Sequence, residues 1–389
     1  MNILALDIVT TGPAGESKGA LARYNFRAKA VKHLNVLHAN LKVIKEAPVS
    51  VVIHPTNACN AICPMCRYAD LRETSETIPL DIMKRTITEL GKMGTKSVIF
   101  SGGGEPTIYS GLAEIIELAA SYGIKMGLVT NLIRISPKLL DVIVNNLSWV
   151  RVSINAASAG AYKIVQGMDP VVWPQLLENV KNIVNAKNKK DTRLVIGGSF
   201  IVQKGNYKEA GDFLDLCTNL GMDYAIYRPV QKWSPTAALM AGSLALTKEM
   251  IDELRTIAQD KLKENKIKFC DNNLGKAADL FTVFDTPKDY TRCLSAKVES
   301  AIGGDGHVYP CCQHIGNVKY SSGNILEKSF WEVWTSPEAR NVNESIMPSS
   351  CPPCRYDYYN RVFNEYEKGW RPSQEEMAKA EEIPDSDFM

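Results

Sequence analysis

Six short apolar runs alternate with amphipathic segments between residues 50 and 230, and this alternation constrains the fold more than any other feature. The apolar runs are VSVVIHP, KSVIFSG, IKMGLVT, WVRVSI, RLVIGGSFIV and MDYAIYRP. Segments between them, such as LDIMKRTITELGKMG and GLAEIIELAASYG, repeat apolar residues at helical spacing. Serial strand–helix units fold into a parallel sheet with right-handed crossovers, so we predict an α/β fold. Because six strands are fewer than the eight of a closed barrel, we predict a partial (β/α)6 barrel that is open on one side.

The composition is that of an ordinary globular protein. The chain has 389 residues, of which 45% are hydrophobic and 23% charged, so it can bury a large core. A net charge of +2 excludes a global electrostatic attraction to nucleic acid or to an anionic membrane. No apolar run reaches the length of a bilayer span, and the N-terminus lacks the features of a signal peptide. We therefore expect a cytoplasmic protein without a membrane partner, whose ten cysteines bind metal rather than form disulfides.

The segments that flank the barrel differ in composition. Residues 18–45 carry seven Lys or Arg and no acid, and predict a helix with a solvated basic face in preference to a phosphate-binding surface. A loop or lid over 233–246 and a helix over 247–266 follow the barrel, and a Gly-, Pro- and Cys-rich region comes next. The tail has six acids in its last fifteen residues and is expected to be loose. The predicted divisions are 1–48 (helical extension), 49–232 (barrel), 233–289 (connecting loop and helix), 290–360 (cysteine-rich domain) and 361–389 (helix and acidic tail).

Three cysteines crowd the loop after the first apolar run, in the stretch NACNAICPMCRYAD. A structural zinc site needs four ligands, and neither a fourth Cys nor a suitably spaced His follows Cys59, Cys63 and Cys66. A thioredoxin-type pair would leave Cys59 without a role. Three thiolates suit a [4Fe–4S] cluster that keeps one iron free of protein ligands. We therefore predict such a cluster on this loop.

The CxxxCxxC pattern at this position resembles the radical S-adenosylmethionine (SAM) superfamily. The resemblance implies that the amino and carboxylate groups of SAM bind the free iron. It also implies that an electron from the reduced cluster cleaves SAM to a 5′-deoxyadenosyl radical, which abstracts a hydrogen atom from the substrate. The chemistry is then the cofactor's, and the protein positions the reactants and excludes water.

Further superfamily positions stand at the ends of the predicted strands. SGGGEP ends the second run, and the resemblance implies that Gly103 and Gly104 let the backbone approach SAM while Glu105 accepts from its ammonium group. The alternative for SGGGEP is a plain strand-to-helix turn. By the same resemblance, the later SAM-contacting positions are Thr130, Asn131, Ser153, Asn155 and Arg228. Asn155 stands where many relatives carry Asp, and Thr130 and Asn131 are equally well interpreted as caps of the next helix.

A second group of cysteines lies in the C-terminal region. Cys293, a G-x4-C hairpin that ends at Cys311, and the SSCPPCR pair of Cys351 and Cys354 supply four thiolates, which suit zinc or an iron–sulfur cluster equally. The arrangement resembles the shortened "twitch" form of the SPASM extension, with GNILEKSFWEVWTSPEAR between the pairs. No cysteine occurs in the following RYDYYNRVF, so one auxiliary [4Fe–4S] cluster is expected. Either Cys311 or the adjacent Cys312 could be the ligand; the G-x4-C spacing favours Cys311, which would make Cys312 dispensable. Cys217 is predicted to be a core residue, and so is Cys270, for which a place near the substrate is the alternative.

A fully ligated second cluster can only pass electrons or shape the pocket, so it suits an electron acceptor in an oxidation. We therefore expect radical oxidation or remodelling of a small polar substrate such as a sugar, cyclitol or nucleotide, with flavodoxin or ferredoxin as electron donor. The alternative within enzymes is modification or isomerisation of a peptide or a nucleic-acid base. We expect residues 1–48 to be too few for the winged peptide-recognition domain of many peptide-modifying relatives, which disfavours that alternative. A non-enzymatic iron–sulfur carrier is the other class, and the GGE motif argues against it.

Overall fold

Ten strands form one continuous sheet in the part of the chain that the structure describes. The structure is a computed structural model that describes residues 26–230, 244, 246–264, 267–271, 288–351, 354, 356–383 and 385–389. The strands are β1 (Ser50–Ile53), β2 (Ser97–Phe100), β3 (Lys125–Thr130), β4 (Trp149–Ser153), β5 (Val195–Val202), β6 (Tyr224–Pro229), β7 (Lys268–Asp271), β8 (Glu299–Ile302), β9 (His307–Tyr309) and β10 (Gly323–Asn324). Their order in the sheet is β10-β9-β8-β1-β2-β3-β4-β5-β6-β7.

Helices connect the strands and flank both ends of the chain. Those up to the last barrel strand are α1 (Phe26–Lys32), α2 (Leu34–Asn40), α3 (Ala69–Arg72), α4 (Leu80–Met93), α5 (Leu112–Ser121), α6 (Pro137–Asn146), α7 (Ala159–Gln166), α8 (Val172–Lys190), α9 (Ala210–Asn219) and α10 (Lys248–Glu264). The later ones are α11 (Phe330–Trp334), α12 (Pro337–Ser345), α13 (Asp357–Glu367) and α14 (Gln374–Glu381). Short 3-10 turns occur at Pro106–Ile108, Tyr207–Glu209, Ser295–Lys297, Val318–Tyr320 and Pro348–Ser350. None of the described helices is both long and apolar enough to cross a bilayer.

The first six strands are parallel neighbours in sequence order, which confirms the predicted α/β fold with a partial barrel. Side chains alternate along each strand, so each strand presents one set to the helices and the other to the inside. Val51, Val98 and Val150 lie on the helix side in the main apolar core. Val52 and Ile99 lie on the inner side in a separate cluster. Cys217 is fully buried in the main core, as predicted for a small apolar side chain.

The sheet extends beyond the six predicted strands at both edges. β7 pairs in parallel with β6, within the range that the sequence assigned to a connecting loop and helix. The sequence of β7 is KFCD, which has a charged residue at each end and lacks the apolar run that identified the six predicted strands. At the other edge, β8 from the cysteine-rich region pairs in parallel with β1, so this region continues the barrel sheet. Cys270 lies on β7, and its side chain falls outside the described part of the structure.

Both ends of the described chain pack at the amino end of the barrel strands. Phe388 is buried and meets the ring of Trp149, the first residue of β4, at 5.6 Å between centroids. The Asp387 carboxylate pairs with the Lys125 ammonium at 2.6 Å and with the Lys32 ammonium at 3.4 Å. Lys29 is buried and donates to the Phe388 carbonyl at 2.6 Å. The expectation of a loose tail is therefore wrong for residues 385–389, because Asp387 meets cations of the other end and Phe388 is buried. The basic face is only partly solvated: Arg27, Lys42 and Lys45 are exposed as expected, whereas Lys29 is buried.

The single predicted N-terminal helix is also corrected in detail. Within the described residues it is two short helices, α1 and α2, which pack on α13 and α14. Apolar residues that recur at helical spacing in this segment, among them Ala30, Leu34 and Leu37, are buried against these helices. The helical spacing therefore identified the packed face correctly, whereas the break between the helices left no local signal.

Candidate functional site

The three-cysteine loop leaves the carboxyl end of β1 and folds back on itself. The Cys66 amide donates to the Cys63 carbonyl at 3.1 Å, and the Ala61 amide donates to the Cys59 sulfur at 3.4 Å. The Cys63 thiol donates to Gln166 Oε1 at 2.6 Å. Burial raises the pKa of Cys59 to about 11, and the pKa values of Cys63 and Cys66 are raised for the same reason. The thiols therefore keep their protons until a metal displaces them, as soft ligands of a cluster do.

The three glycines of SGGGEP bring the end of β2 against this loop. A Cβ added at Gly104 would lie 1.8 Å from the Ala58 carbonyl oxygen, and one at Gly103 would lie 2.2 Å from Asn57 Oδ1. The Gly104 amide donates to the Thr56 carbonyl at 3.0 Å, and the Glu105 amide donates to the Ala58 carbonyl at 2.9 Å. We expected the glycines to make room for SAM. The space beside Gly104 is filled by the Ala58 backbone and that beside Gly103 by the Asn57 side chain, so both glycines let the cysteine loop pack against the end of β2. Their contact with SAM stays a prediction.

The Glu105 carboxylate is buried and accepts four hydrogen bonds. Its Oε1 accepts from the Thr107 amide at 2.9 Å, the Thr107 hydroxyl at 2.7 Å and the Thr130 hydroxyl at 2.5 Å. Its Oε2 accepts from the Asn131 amide at 2.7 Å. Burial raises the pKa of this carboxyl, and the four donors oppose that rise. Glu105 therefore ties the ends of β2 and β3 together beside the cysteine loop.

Thr130 and Asn131 are not helix caps. The cap of α6 is Ser136, whose Oγ accepts from the Leu139 amide at 3.1 Å. The capping alternative is therefore wrong, because the helix begins several residues further along the chain. Besides holding Glu105, Asn131 donates from its side-chain amide to Asn60 Oδ1 at 2.8 Å. Asn60 lies inside the cysteine loop, so this pair links β3 directly to it.

The three remaining predicted positions lie at the carboxyl ends of the next strands. Asn155 has φ of 58°, a left-handed conformation that Asn tolerates, and its Oδ1 accepts from the Ile201 amide at 2.8 Å. Ser153 ends β4, and its carbonyl accepts from the Gln166 side chain at 2.7 Å. Arg228 is half-buried near the end of β6, where Val230 packs on Met65 of the cysteine loop. All three therefore lie on the rim that surrounds this loop.

Two residues of α7 belong to the site and escaped the sequence analysis. Gln166 joins the Cys63 thiol to the end of β4, as described above. Tyr162 is fully buried, and its pKa is raised by burial and by the nearby charges of Cys63, Glu105 and Cys59. Apolar spacing alone places both on the buried face of a helix, so no local pattern distinguishes them from core residues.

Several buried polar atoms on or beside the loop make no hydrogen bond within the described residues, among them the Tyr162 hydroxyl, Asn60 Nδ2, His54 Nδ1 and Asn57 Oδ1. Buried polar atoms are costly unless paired, so these atoms are available to a polar ligand. Together with three thiols on one loop, they fit a cluster that binds a polar molecule such as SAM.

The four predicted auxiliary ligands lie in one region at the other edge of the sheet, near enough for their thiols to affect one another. Burial raises the pKa of Cys311 well above its usual value, and the nearby thiols of Cys312, Cys354 and Cys293 raise it further. The Cys351 pKa is raised to about 11 by burial and by the neighbouring Cys293. The structure thus gathers residues that are far apart in the sequence. Their ligand roles remain a prediction.

Cys312 connects the two cysteine sites through its backbone. Its carbonyl accepts from the Tyr68 hydroxyl at 3.1 Å and from the Arg67 guanidinium. Arg67 and Tyr68 directly follow Cys66, whereas Cys312 directly follows Cys311. The loop of the first cluster is therefore hydrogen-bonded to the chain beside the second. The Cys312 sulfur itself lies 4.0 Å from the Tyr356 hydroxyl.

Comparison with known proteins agrees with both sites. Residues 53–217 match the radical SAM superfamily, and residues 293–356 match the SPASM iron–sulfur cluster-binding domain. A cofactor-modifying protein of the tungsten-containing aldehyde ferredoxin oxidoreductase from Pyrococcus furiosus is 23% identical over 322 residues, covering 77% of this chain and 85% of that protein. The PqqA peptide cyclase of Bradyrhizobium diazoefficiens is 22% identical over 321 residues, covering 79% of each.

Solved structures support the fold as well. The crystal structure of Streptococcus suis SuiB bound to precursor peptide SuiA superimposes with a TM-score of 0.61 at 18% identity, covering 82% of this chain and 71% of SuiB. The SPASM match decides between zinc and iron–sulfur for the second site in favour of iron–sulfur. The chain therefore belongs to the radical SAM superfamily and carries a C-terminal SPASM domain, so its cofactors are SAM and [4Fe–4S] clusters.

Proposed function

We propose that this radical SAM enzyme modifies a peptide. The observation that carries the proposal is the kind of protein it resembles along most of its length, since a PqqA peptide cyclase is among its relatives and SuiB was solved with a precursor peptide. The sequence favoured a small polar molecule and gave the peptide as the alternative. The comparisons favour that alternative. Cofactor motifs carry no information about the substrate, so the motifs alone decide little here.

The first cysteine site would do the initiating chemistry. Cys59, Cys63 and Cys66 would hold the cluster, which with SAM supplies the 5′-deoxyadenosyl radical. Glu105 keeps the ends of β2 and β3 fixed beside the loop, and this fixes where SAM would lie. The Tyr162 hydroxyl and Asn60 Nδ2 are the unpaired donors that a polar ligand there would engage.

The second site would receive an electron. Closing a new bond on a peptide by oxidation removes one hydrogen atom, one further electron and one proton. Cys293, Cys311, Cys351 and Cys354 would ligate all the irons of the auxiliary cluster, so substrate has no open position there and only electrons pass. The proton leaves to solvent. We propose flavodoxin or ferredoxin as the electron donor to the first site.

Anaerobic turnover tests the proposal. The reconstituted enzyme is incubated with SAM, dithionite and each short peptide encoded beside its gene, and both 5′-deoxyadenosine and peptide mass are measured. We expect one peptide to change mass with SAM cleavage, and the Cys59→Ala, Cys63→Ala, Cys66→Ala triple variant to leave it unchanged. If every peptide stays unmodified while a SAM-dependent mass change occurs in a low-molecular-weight cell extract, the small-molecule alternative is correct.

A further inference from the structure

The sulfur of Cys293 is surrounded by hydrogen-bond donors. Asn360 Nδ2 lies 3.6 Å from it, and the Ser295 hydroxyl lies 3.4 Å from it. Asn360 belongs to α13 and is 1% exposed. Among the other auxiliary thiols, Cys354 accepts from the Tyr356 amide at 3.4 Å, and Cys351 lies 3.8 Å from His314 Nε2. Cys293 is thus the auxiliary thiol that lies within hydrogen-bonding distance of a buried side-chain amide.

The neighbours of Asn360 fix which way its amide points. The Ser295 backbone N–H can only donate, and it lies 2.8 Å from Asn360 Oδ1, so the oxygen must face it. The NH₂ group is then turned toward the Ser295 hydroxyl, at 3.1 Å, and toward the Cys293 sulfur. The Asn360 amide therefore has only one orientation, in which its N–H donor faces the Cys293 sulfur.

Negatively charged groups near the auxiliary thiols would oppose reduction of a cluster there, and an N–H donor would counteract them. Two carboxylates act on the auxiliary thiols: Glu299 on Cys293 and Cys311, and Asp357 on Cys351 and Cys354. Lys288 opposes Asp357 at Cys351, whose carbonyl it reaches at 2.6 Å. Reduction adds negative charge that spreads onto the sulfurs, so nearby carboxylates disfavour the reduced cluster and N–H donors favour it.

We propose that Asn360 is a positioning residue that raises the reduction potential of the auxiliary cluster by donating an N–H to the Cys293 sulfur. A higher potential makes that cluster a better acceptor for the electron that leaves the peptide. The inference rests on the proposed function for the ligand role of Cys293 and for the direction of electron flow. Beyond that function, the inference names Asn360, its donor atom Nδ2 and the reduction potential that this residue sets.

A redox titration of the full-length protein tests the assignment. The triple Cys59→Ala, Cys63→Ala, Cys66→Ala background leaves only the auxiliary cluster, and electron paramagnetic resonance follows its reduction. Two variants are compared in this background. Asn360→Ala removes the donor, whereas Asn360→Asp keeps the acceptor for the Ser295 amide and adds negative charge. We expect the midpoint potential to fall in Asn360→Ala and to fall further in Asn360→Asp, with about four irons retained.

Asn364 on the same helix is the matched control. It is also buried, but its side-chain amide donates only to backbone, at 3.0 Å to the Arg292 carbonyl and 2.7 Å to the Asn360 carbonyl. Asn364→Ala should leave the potential unchanged. Unchanged potentials in both Asn360 variants would overturn the proposal, as would loss of iron from both, since the residue would then be structural. A shifted potential in an enzyme that modifies no peptide would reject the proposed substrate alone.

Discussion

Glu105 uses both carboxylate oxygens within the protein, which changes how its effect on SAM is understood. The sequence predicted a direct bond to the SAM ammonium, and that contact remains a prediction. In the structure the carboxylate is held by Thr107, Thr130 and the Asn131 amide. A buried carboxylate with these partners is costly to disrupt, because each donor loses its acceptor when the group is removed. We therefore predict that Glu105 acts on SAM at least through the ends of β2 and β3, which it holds together beside the cysteine loop.

Replacing Glu105 tests this role. Charge-assisted hydrogen bonds contribute on the order of 1.5–3 kcal/mol, so Glu105→Ala should weaken SAM binding roughly ten- to a hundredfold. Equilibrium dialysis of SAM against the reconstituted enzyme measures the dissociation constant. Glu114→Gln is the control, since Glu114 is exposed on α5 and pairs only with Lys84 at 2.6 Å. Equal SAM affinities for Glu105→Ala and the unmodified enzyme would reduce SGGGEP to a simple turn.

His33 predicts how stability depends on pH. Burial lowers its pKa from 6.5 to about 4, although the Ser386 carbonyl and Asp387 favour the charged form. The unfolded chain therefore binds more protons between pH 6.5 and 4, and the free energy of unfolding falls as pH falls through this window. The full loss is roughly 3 kcal/mol, from about 1.4 kcal/mol per unit of pKa. Lys29, Lys32 and Asp387 are the charged groups that act on the ring.

Comparing the free energy of unfolding of the unmodified protein and the His33→Gln variant isolates the contribution of His33. His33 Nε2 lies 3.1 Å from the Ser386 carbonyl, and Gln at this position keeps an N–H donor without titrating. Urea unfolding of the unmodified and His33→Gln proteins is measured from pH 7 to 4. The stability difference should shift in favour of His33→Gln as the pH falls. A difference that is constant with pH would show that His33 does not titrate on unfolding.

Among the elements, the segment at residues 385–389 closes the amino end of the barrel, opposite the cysteine loop. The Ser97 hydroxyl donates to the Asp387 carbonyl at 2.6 Å, and Ser97 is the first residue of β2. Phe388 joins the inner cluster that includes Val52, Ile99 and Trp149. Residues 385–389, which the sequence analysis assigned to an acidic tail, therefore fill the inside of the barrel at the amino end of its strands.

Truncating Phe388 measures this closure. Removing a buried aromatic side chain costs about 3–5 kcal/mol, so Phe388→Ala should lower the free energy of unfolding by this amount. Met377→Ala on α14 should have an effect near zero, because Met377 is 47% exposed. Urea unfolding followed by circular dichroism provides both values. Equal stabilities for the two variants would mean that the segment contributes little to the barrel.

Across the protein as a whole, the barrel and the SPASM region share one sheet and one hydrogen-bonded junction. β8 pairs with β1, and Tyr68 and Arg67 bind the Cys312 carbonyl. Assembly of the two clusters should nevertheless be separable, because each set of thiols lies on its own segments. Iron content therefore distinguishes the two sites.

We expect about eight irons in the reconstituted chain, falling to about four when Cys351 and Cys354 become Ala. This variant should still cleave SAM but fail to complete peptide turnover, because the first site is intact. Cys312→Ala should keep about eight irons, since the contact that it makes to Arg67 and Tyr68 uses its backbone carbonyl. Loss of about four irons from Cys312→Ala would instead make Cys312 a ligand of the auxiliary cluster.

The sequence by itself determined the barrel, the three-thiol loop and the set of auxiliary cysteines. The barrel and the three-thiol loop are local features, because strands and helices repeat over a few residues and spacing marks the loop. The auxiliary cysteines stand out only as short motifs far apart in the chain, and their ligand roles stay a prediction. Even the core position of Cys217 follows from its place on an amphipathic helix. Local prediction still failed at three places: the N-terminal helix is split in two, Ser136 rather than Thr130 or Asn131 caps α6, and β7 was missed.

Only the tertiary structure decided which distant groups meet. Glu105 meets Thr130, Gln166 meets Cys63, Asn360 meets Cys293, and Phe388 meets Trp149. Each partner has an ordinary local sequence, and an Asn or Gln on the buried face of a helix has no pattern of its own. Such contacts form because folding brings the ends of parallel strands and the faces of packed helices together. Polar groups buried there are stabilised when they form hydrogen bonds with one another.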